Sequence, residues 1–398
     1  MKTPIAIAVA ASISGALLTS FSSQAGDLSD IQRAITDGTT NIMLRYRVEH
    51  VDQDGIDKEA NASTLLTRLT YQSAEVAGFF TTIEFDDVSA IGNQNYNSTV
   101  NGNTQYPVVA DPTGTEVNQA YLGYRQKGLT FFAGRQRINH DNQRFIGGVG
   151  WRQNEQTYDG YRVQYALSAE LTLDYSYVYN VNRIFGEGNP SSDLGGNLHL
   201  LNASYGVAEG HKLTGFVYKL DFDTALALAT TTYGVNYDGK LGAFKLHATY
   251  ARQTKTGDNP NAFTADYFAV DLSTQVAAVN LGIGYESLGS DNGVGFSTPL
   301  ATLHKFQGFI DKFLGTPAQG VNDLYVKASG KIGKLGLRAA LHKFESDLGN
   351  LDYGNELNLV GSYPLAKNVG LLVKYAAYNA EDLASDTRKL WGMLTFKF

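Results

Sequence analysis

The sequence predicts an all-β fold: a transmembrane antiparallel β-barrel of about 18 strands behind a cleaved N-terminal signal peptide. Three observations carry this. The chain opens on an export signal, hydropathy alternates with a period of two from Asn41 to the last residue, and long connections alternate with tight ones.

Lys2 supplies the positive start of the signal, Ile5 to Leu18 form an apolar and small-residue core, and Ser23-Gln24-Ala25 offer a small-residue cleavage site. Residues 1–25 are therefore read as the signal peptide and 26–398 as a single barrel domain. Removing one Lys and no acid takes the charged residues from 32 basic and 39 acidic to 31 and 39, or −8. That balance speaks against a nucleic-acid partner. The absence of Cys excludes disulfide scaffolds, Cys-ligated zinc, iron–sulfur clusters and thiol nucleophiles. No later run reaches the length of a membrane helix, so a membrane crossing has to use strands. Mean hydropathy is nevertheless negative, −0.21, with 24 Tyr and 20 Phe.

The mature chain starts with a short helix-like piece, Asp27 to Asp37 within a periplasmic 26–38 segment, closed by Gly38. From Asn41 the period becomes two: Ile42, Leu44, Tyr46 and Val48 alternate with Met43, Arg45, Arg47 and Glu49. Alternating segments follow near 62–72, 76–87, 116–126, 129–138, 156–166, 170–181, 197–206, 212–222, 230–238, 243–253, 264–274, 278–288, 323–330, 334–345, 354–363, 369–379 and 387–398. Each is close to the length that spans a bilayer when tilted. Segment 129–138 is ambiguous, because either parity turns something awkward toward lipid. The last segment sets Leu390, Gly392, Leu394, Phe396 and Phe398 on one face and ends on an aromatic. Phe396 and Phe398 resemble the insertion signal read by the barrel-assembly machinery of bacterial outer membranes.

Connections 88–115, 139–155, 182–196, 254–263 and 289–322 are long, whereas 73–75, 126–128, 238–240 and 330–333 are tight. An even strand count with loop lengths segregated to the two ends is the pattern of an outer-membrane barrel. Its outer face meets lipid and lipopolysaccharide, and its lumen can be polar and wet. Strand parity assigns Arg45, Arg47, Glu49, Arg68, Glu84, Asp86, Arg162, Gln164, Lys245, His247, Glu286, Arg338, His342, Glu356, Asn358 and Lys374 to the lumen.

The segment 134–154 concentrates Arg135, Arg137, Arg144 and Arg152 around Trp151 and several Gly and amide residues. Arg forks bind carboxylates and an aromatic ring can stack on a sugar. Two readings stand level: a loop folded into the pore, or an external loop tied down by its own salt bridges. In the 289–322 connection, Leu303, Phe306, Ile310 and Phe313 predict a short amphipathic helix after Pro299, expected to cap the barrel mouth.

The runs LRYRVEHVDQDG (44–55), YPVVADPTGTEVNQAYLGYR (106–125), GRQRINHDNQRFIGGVGWRQNEQTYDG (134–160) and PLATLHKFQGFIDKFLGTPAQGVNDLYV (299–326) resemble the alginate export family of bacterial outer-membrane proteins. The resemblance implies an 18-stranded barrel, and passive transport through one needs no cofactor. It also implies that Arg45, Arg47, Arg135, Arg137, Arg144 and Arg152 select anions. The expected function is passive passage of small or oligomeric anionic solutes, uronate sugars being candidates.

Two rivals remain from other classes, an outer-membrane hydrolase acting on lipid or polysaccharide and a plugged structural or adhesive barrel. The seven His are scattered, and neither a GxSxG elbow nor an HExxH helix occurs. Glu84 and Asp86 could pair as acid and base, but in a charged lumen they more readily answer nearby Arg. Asp52, Asp54, Asp57 and Glu59 suggest a calcium loop, yet Gly55 is misplaced for an EF-hand. The Gly147-Gly148-Val149-Gly150 run lacks the Lys-Ser/Thr pair of a phosphate loop. No residue set points to catalysis, and oligomeric state leaves no mark in the sequence.

Overall fold

The computed structural model describes residues 28–398; the expected signal peptide lies outside them. A nine-residue helix, α1 (Leu28–Thr36), leads into twenty strands, of which eighteen form one closed antiparallel sheet. These are β1 (Thr39–Gln53), β2 (Ala60–Gln72), β3 (Phe79–Asn95), β4 (Gly114–Gln126), β5 (Leu129–Gln136), β6 (Thr157–Ala166), β7 (Leu171–Asn182), β8 (Asp193–Ala208) and β9 (His211–Phe222). The barrel continues with β10 (Thr230–Leu241), β11 (Phe244–Lys255), β12 (Thr264–Val276) and β13 (Val279–Leu288). A two-residue ladder, β14 (Ser290–Asp291) with β15 (Val294–Gly295), sits in the following loop. The barrel is completed by β16 (Val321–Ile332), β17 (Leu335–Glu345), β18 (Asp352–Ala366), β19 (Val369–Asn379) and β20 (Thr387–Lys397).

Every neighbour in sequence is a neighbour in space, and β20 pairs with β1 from Met43↔Lys397 to Gln53↔Thr387. The seam is finished by the terminal residue, whose N–H donates to Ile42 O at 2.9 Å while Ile42 N–H donates to Phe398 O at 3.1 Å. A closed sheet leaves no unpaired edge, which is what a lipid environment demands. All eighteen barrel strands fall where the alternation predicts them, and several run beyond the segments expected. Tight turns such as 127–128, 209–210, 242–243 and 333–334 lie at one end with the chain termini, and long loops at the other. Short turns mark the periplasmic end of such barrels, so the 137–156 and 289–320 loops belong to the extracellular end.

The outer face is apolar: Leu69, Ile83, Leu122, Tyr175, Val235 and Phe268 are exposed because no protein covers them. The lumen is divided. On the arc β1–β4 the buried inward residues are largely charged or amide, among them Arg45, Arg47, Glu49, Arg68, Glu84 and Asp86. Around much of the remaining wall, inward aromatics and aliphatics (Phe216, Tyr218, Tyr267, Phe344, Tyr378) pack against Ile138, Ile146, Leu300, Ile310 and Phe313 from the two long loops. The largest apolar core of the described residues thus lies inside the barrel, between wall and loops.

The loop 289–320 departs from expectation. It carries a single 3₁₀ turn at Leu303–Lys305 and no α-helix. Gln307 (φ 54°), Gly308 (φ 79°) and Asp311 (φ 65°) take left-handed backbone conformations, which break the helical spacing of Leu303, Phe306, Ile310 and Phe313. Gly308 also gives room to the Glu356 carboxylate, which would have to shift to admit a Cβ that lies 2.3 Å from one of its oxygens. Instead of capping the mouth, the loop enters the lumen and buries Leu300, Ile310 and Phe313.

Candidate channel constriction

The constriction begins with β1. Its period-two alternation turns Arg45, Arg47 and Glu49 inward, and the 137–156 loop comes to meet them. Arg45 donates to Gln153 Oε1 (2.9 Å), Gly150 O (3.0 Å) and Arg152 O, with no carboxylate within ion-pair distance among the described residues. Arg47, only 1% exposed, donates to Asp111 (3.1 Å) and to Trp151 O. Asp111 is brought down by the 96–113 loop and also takes the N–H of Gln153 at 2.9 Å. Arg152 crosses to Glu49 (3.1 Å) and to Asp311 of the other long loop (3.3 Å).

Beside this group Arg68 grips Asp86 with two donors (2.7 and 2.5 Å) and reaches Glu155 at 2.9 Å. Arg137 binds the same Glu155 and Glu84, the latter at 2.9 Å. The pair Glu84 and Asp86 is thereby held as counter-charge rather than left as an acid–base couple. On the far side Arg144 donates to Glu286 (2.6 Å) and Thr298 (2.8 Å), pinning one long loop to β13 and to the other loop.

The tip of the 137–156 loop reaches the wall formed by β7–β11. His140 Nδ1 is 3.2 Å from the Tyr218 hydroxyl, Asp141 accepts from Asn202 (2.9 Å) and Asn236 (3.0 Å), and Asn142 meets His247 (3.3 Å). The two long loops are stitched together by Gly147 N–H to Leu300 O (2.8 Å), Thr302 N–H to Gln143 O (3.0 Å) and Lys305 Nζ to Asn142 O (2.8 Å). Of the two readings open for 134–154, the inward fold is the one observed, and its ion pairs go mainly to the wall.

Trp151 does not offer an open ring. It stacks on His304 (centroids 4.6 Å, 7°), with Lys374 Nζ 4.0 Å and Arg47 Cζ 4.4 Å from its centroid. Lys374 also sits 3.3 Å over Phe309 and bonds His304 Nε2 at 2.6 Å. Burial pushes the His304 imidazole down to about 3, so it stays neutral and its Nδ1–H serves Asp311 at 2.9 Å. Burial opposes ionisation of Asp111, Glu155 and Asp311, but adjacent cations outweigh it and hold all three below the usual carboxylate range. Arg47 and Arg152 act on Asp111, and Arg137 and Arg68 on Glu155. For Asp311 the charges are Lys389 and Arg152, and neutral His304 adds the hydrogen bond from its Nδ1–H.

Arg45, Arg47, Arg68, Arg137, Arg144, Trp151 and Arg152 are therefore brought together inside the barrel. Arg162 also faces inward, but lower on β6, bound to Asp174 at 2.9 and 2.5 Å. Arg338 is inward near the periplasmic end, exposed and without an ion pair among the described residues. Arg135 is the exception and corrects the expectation. Phe132, three residues earlier, packs inside against Phe80, while Phe131 stacks on exposed Tyr161. Arg135 shares the parity of Phe131 and lies on the outer face, closed in a bidentate pair with Asp159 (2.8 and 3.0 Å). That pair resolves the awkward parity of this strand, since each charge neutralises the other at the extracellular rim.

Asp111, Glu155, His304, Lys305, Asp311, Lys389 and Trp391 escaped the sequence reading of the site. For Lys389 and Trp391 a signal existed, because they take the parity opposite Leu390. The loop residues had none.

A search of curated protein sequences finds no match. Among solved structures the chain is similar to the Pseudomonas aeruginosa protein OccK9 (OpdG), with TM-score 0.71, 15% identity and coverage of 92% of this chain and 99% of that one. It is also similar to OpdQ of the same organism (0.69, 16%, 92% and 99%) and to OccAB4 of Acinetobacter baumannii (0.68, 14%, 91% and 98%). At such identities these establish the fold. The family model for alginate export matches residues 38–285, well over half of the sequence, so the chain belongs to the alginate export family and is an outer-membrane channel.

Proposed function

We propose that the channel passes small or oligomeric anionic solutes, uronate sugars among them, and that Arg45, Arg47, Arg137 and Arg152 with Lys305, Lys374 and Lys389 supply the preference for anions. One observation carries this reading. Around Trp151, five cations (Arg45, Arg47, Arg152, Lys374, Lys389) face three carboxylates (Glu49, Asp111, Asp311), a formal surplus of two positive charges in a region of low water content. The neighbouring set, Arg68 and Arg137 with Glu84, Asp86 and Glu155, takes back one, and exposed Lys305 restores it. A narrow polar passage focuses such a field.

Proteoliposome swelling tests the proposal. A hexuronate should enter faster than an uncharged hexose of the same size; equal or slower entry would refute anion preference. The same preparation bears on the hydrolase alternative. Engagement of Glu84 and Asp86 by Arg68 and Arg137 argues against catalysis, and release of sugar or fatty acid from polymer or lipid would overturn that view. For assembly, Phe396 and Phe398 are read as the insertion signal, supported by the terminal backbone pair with Ile42; deleting Phe398 should lower the yield of heat-modifiable barrel in the outer membrane.

A further inference from the structure

Helix α1 has one apolar side and the barrel does not use it. Ile31 and Ile35 are 57% and 61% exposed, although they are two large apolar residues one turn apart on a nine-residue helix whose opposite side carries Asp30 and Arg33. What meets the barrel is instead the last turn of the helix at half-buried Ala34, whose carbonyl accepts from Ala74 N–H at 2.9 Å. The second tether is Tyr71, whose hydroxyl donates to Ile35 O at 2.8 Å. Tyr71 matters because of where it points. It pairs with Thr40 and Ile83 on the outer face of β2, two residues beyond exposed Leu69, while intervening Thr70 bonds inward to Glu84. The helix therefore hangs from the lipid side of the periplasmic rim, not from the pore.

We propose that α1 is an interfacial anchor, lying in the headgroup region of the periplasmic leaflet with Ile31 and Ile35 dipped into phospholipid. An amphipathic helix beside a membrane edge lies in the interface plane, apolar side down. The lipid belt of the barrel, continued through Tyr71, is what covers the exposed isoleucines. Partly hydrated Tyr71 is the type of ring that marks this depth. The helix and its tethers would fix the start of β1, and with it the seam that β1 makes with β20.

The chain contains no Cys, so a single introduced thiol labels one site. Ile31→Cys, Ile35→Cys, Arg33→Cys and Thr36→Cys, each carrying a nitroxide, are compared in the folded barrel reconstituted into phosphatidylethanolamine–phosphatidylglycerol vesicles. The expected result is a ratio of oxygen to nickel-chelate accessibility severalfold higher at 31 and 35 than at 33 and 36. Equal nickel access at all four positions would overturn the proposal by placing the helix in water. Low access to both reagents at 31 and 35, with spin–spin broadening, would overturn it in favour of a contact between two copies. Heat-modifiable mobility of each labelled protein confirms that the barrel tested is folded.

Discussion

Arg144→Met separates the two long loops without touching the outer wall. Arg144 is 1% exposed and donates to Glu286 at 2.6 Å and Thr298 at 2.8 Å, with Phe306 at 4.9 Å from its guanidinium carbon. Methionine keeps the stem but leaves Glu286 buried with Tyr267 as its remaining hydrogen-bond donor (2.7 Å). Breaking a buried pair in this way costs about 4 kcal/mol. The direct loop–loop hydrogen bonds contribute about 1 kcal/mol each. Loss of Arg144 therefore removes a share of the holding energy comparable to theirs together. At about 1.4 kcal/mol per decade, the opening equilibrium of the loops should rise about a thousandfold. The readout is amide exchange of Gly147 and Thr302, whose N–H groups bond across to Leu300 and Gln143, with strands β10 and β11 as the reference. Single-channel current should become noisier. Adding Glu286→Gln should recover most of the protection, because the stranded charge is then gone. Unchanged exchange at Gly147 and Thr302, or equal acceleration in the strands, would refute the idea that this pair latches the loops.

Three further outcomes follow from the same geometry. Lys305→Gln removes an exposed cation about 8 Å from a passing ion, worth about 0.5 kcal/mol in a water-like dielectric; since anions and cations respond oppositely, the ratio of their permeabilities should fall about fivefold in reversal-potential measurements. Arg135→Ala should leave that ratio unchanged, because the side chain is outside the lumen and paired with Asp159. Loop exchange should depend on pH in two stages. The docked His304 refuses a proton down to about 3 whereas the released ring takes one below about 6.5, so docking weakens as pH falls through that interval. The depressed carboxyls of Asp111, Glu155 and Asp311 contribute in full above about pH 4 and lose their pairs only below it. His304→Phe should abolish the first stage and keep the second, as hydrogen exchange across pH 7 to 3 would register.

The barrel was legible because a bilayer imposes one simple rule on every strand: apolar outward, anything inward. Ile42, Leu44, Tyr46 and Val48 against Arg45, Arg47 and Glu49 obey it, and so the strands could be placed from hydropathy alone. The rule fails at the rim, where ion pairs can face outward; Arg135 with Asp159 is one instance and Arg252 with Asp266 another. It has no hold on loops. The 299–314 run looks helical because Leu303, Phe306, Ile310 and Phe313 recur at helical spacing, yet those side chains answer separate demands, Ile310 and Phe313 toward the inner core and Phe306 toward Arg144. The left-handed turns at Gln307, Gly308 and Asp311 that allow this leave little trace in a sequence. Likewise the inward Arg residues were visible, but their carboxylate partners Asp111, Glu155 and Asp311 come from loops far along the chain. Parity also showed the wall carboxylates Glu49, Glu84, Asp86 and Glu286 that answer these Arg; the loop carboxylates complete a partly neutralised network whose small surplus is the quantity that matters.

That surplus is measured most directly by the reversal potential of single channels of the purified protein in a planar bilayer separating two concentrations of KCl. A potential of the sign set by chloride flow, shrinking with Lys305→Gln and unmoved by Arg135→Ala, is the predicted result. A potential of the sign set by potassium, or no conductance step at any voltage the bilayer withstands, would contradict it.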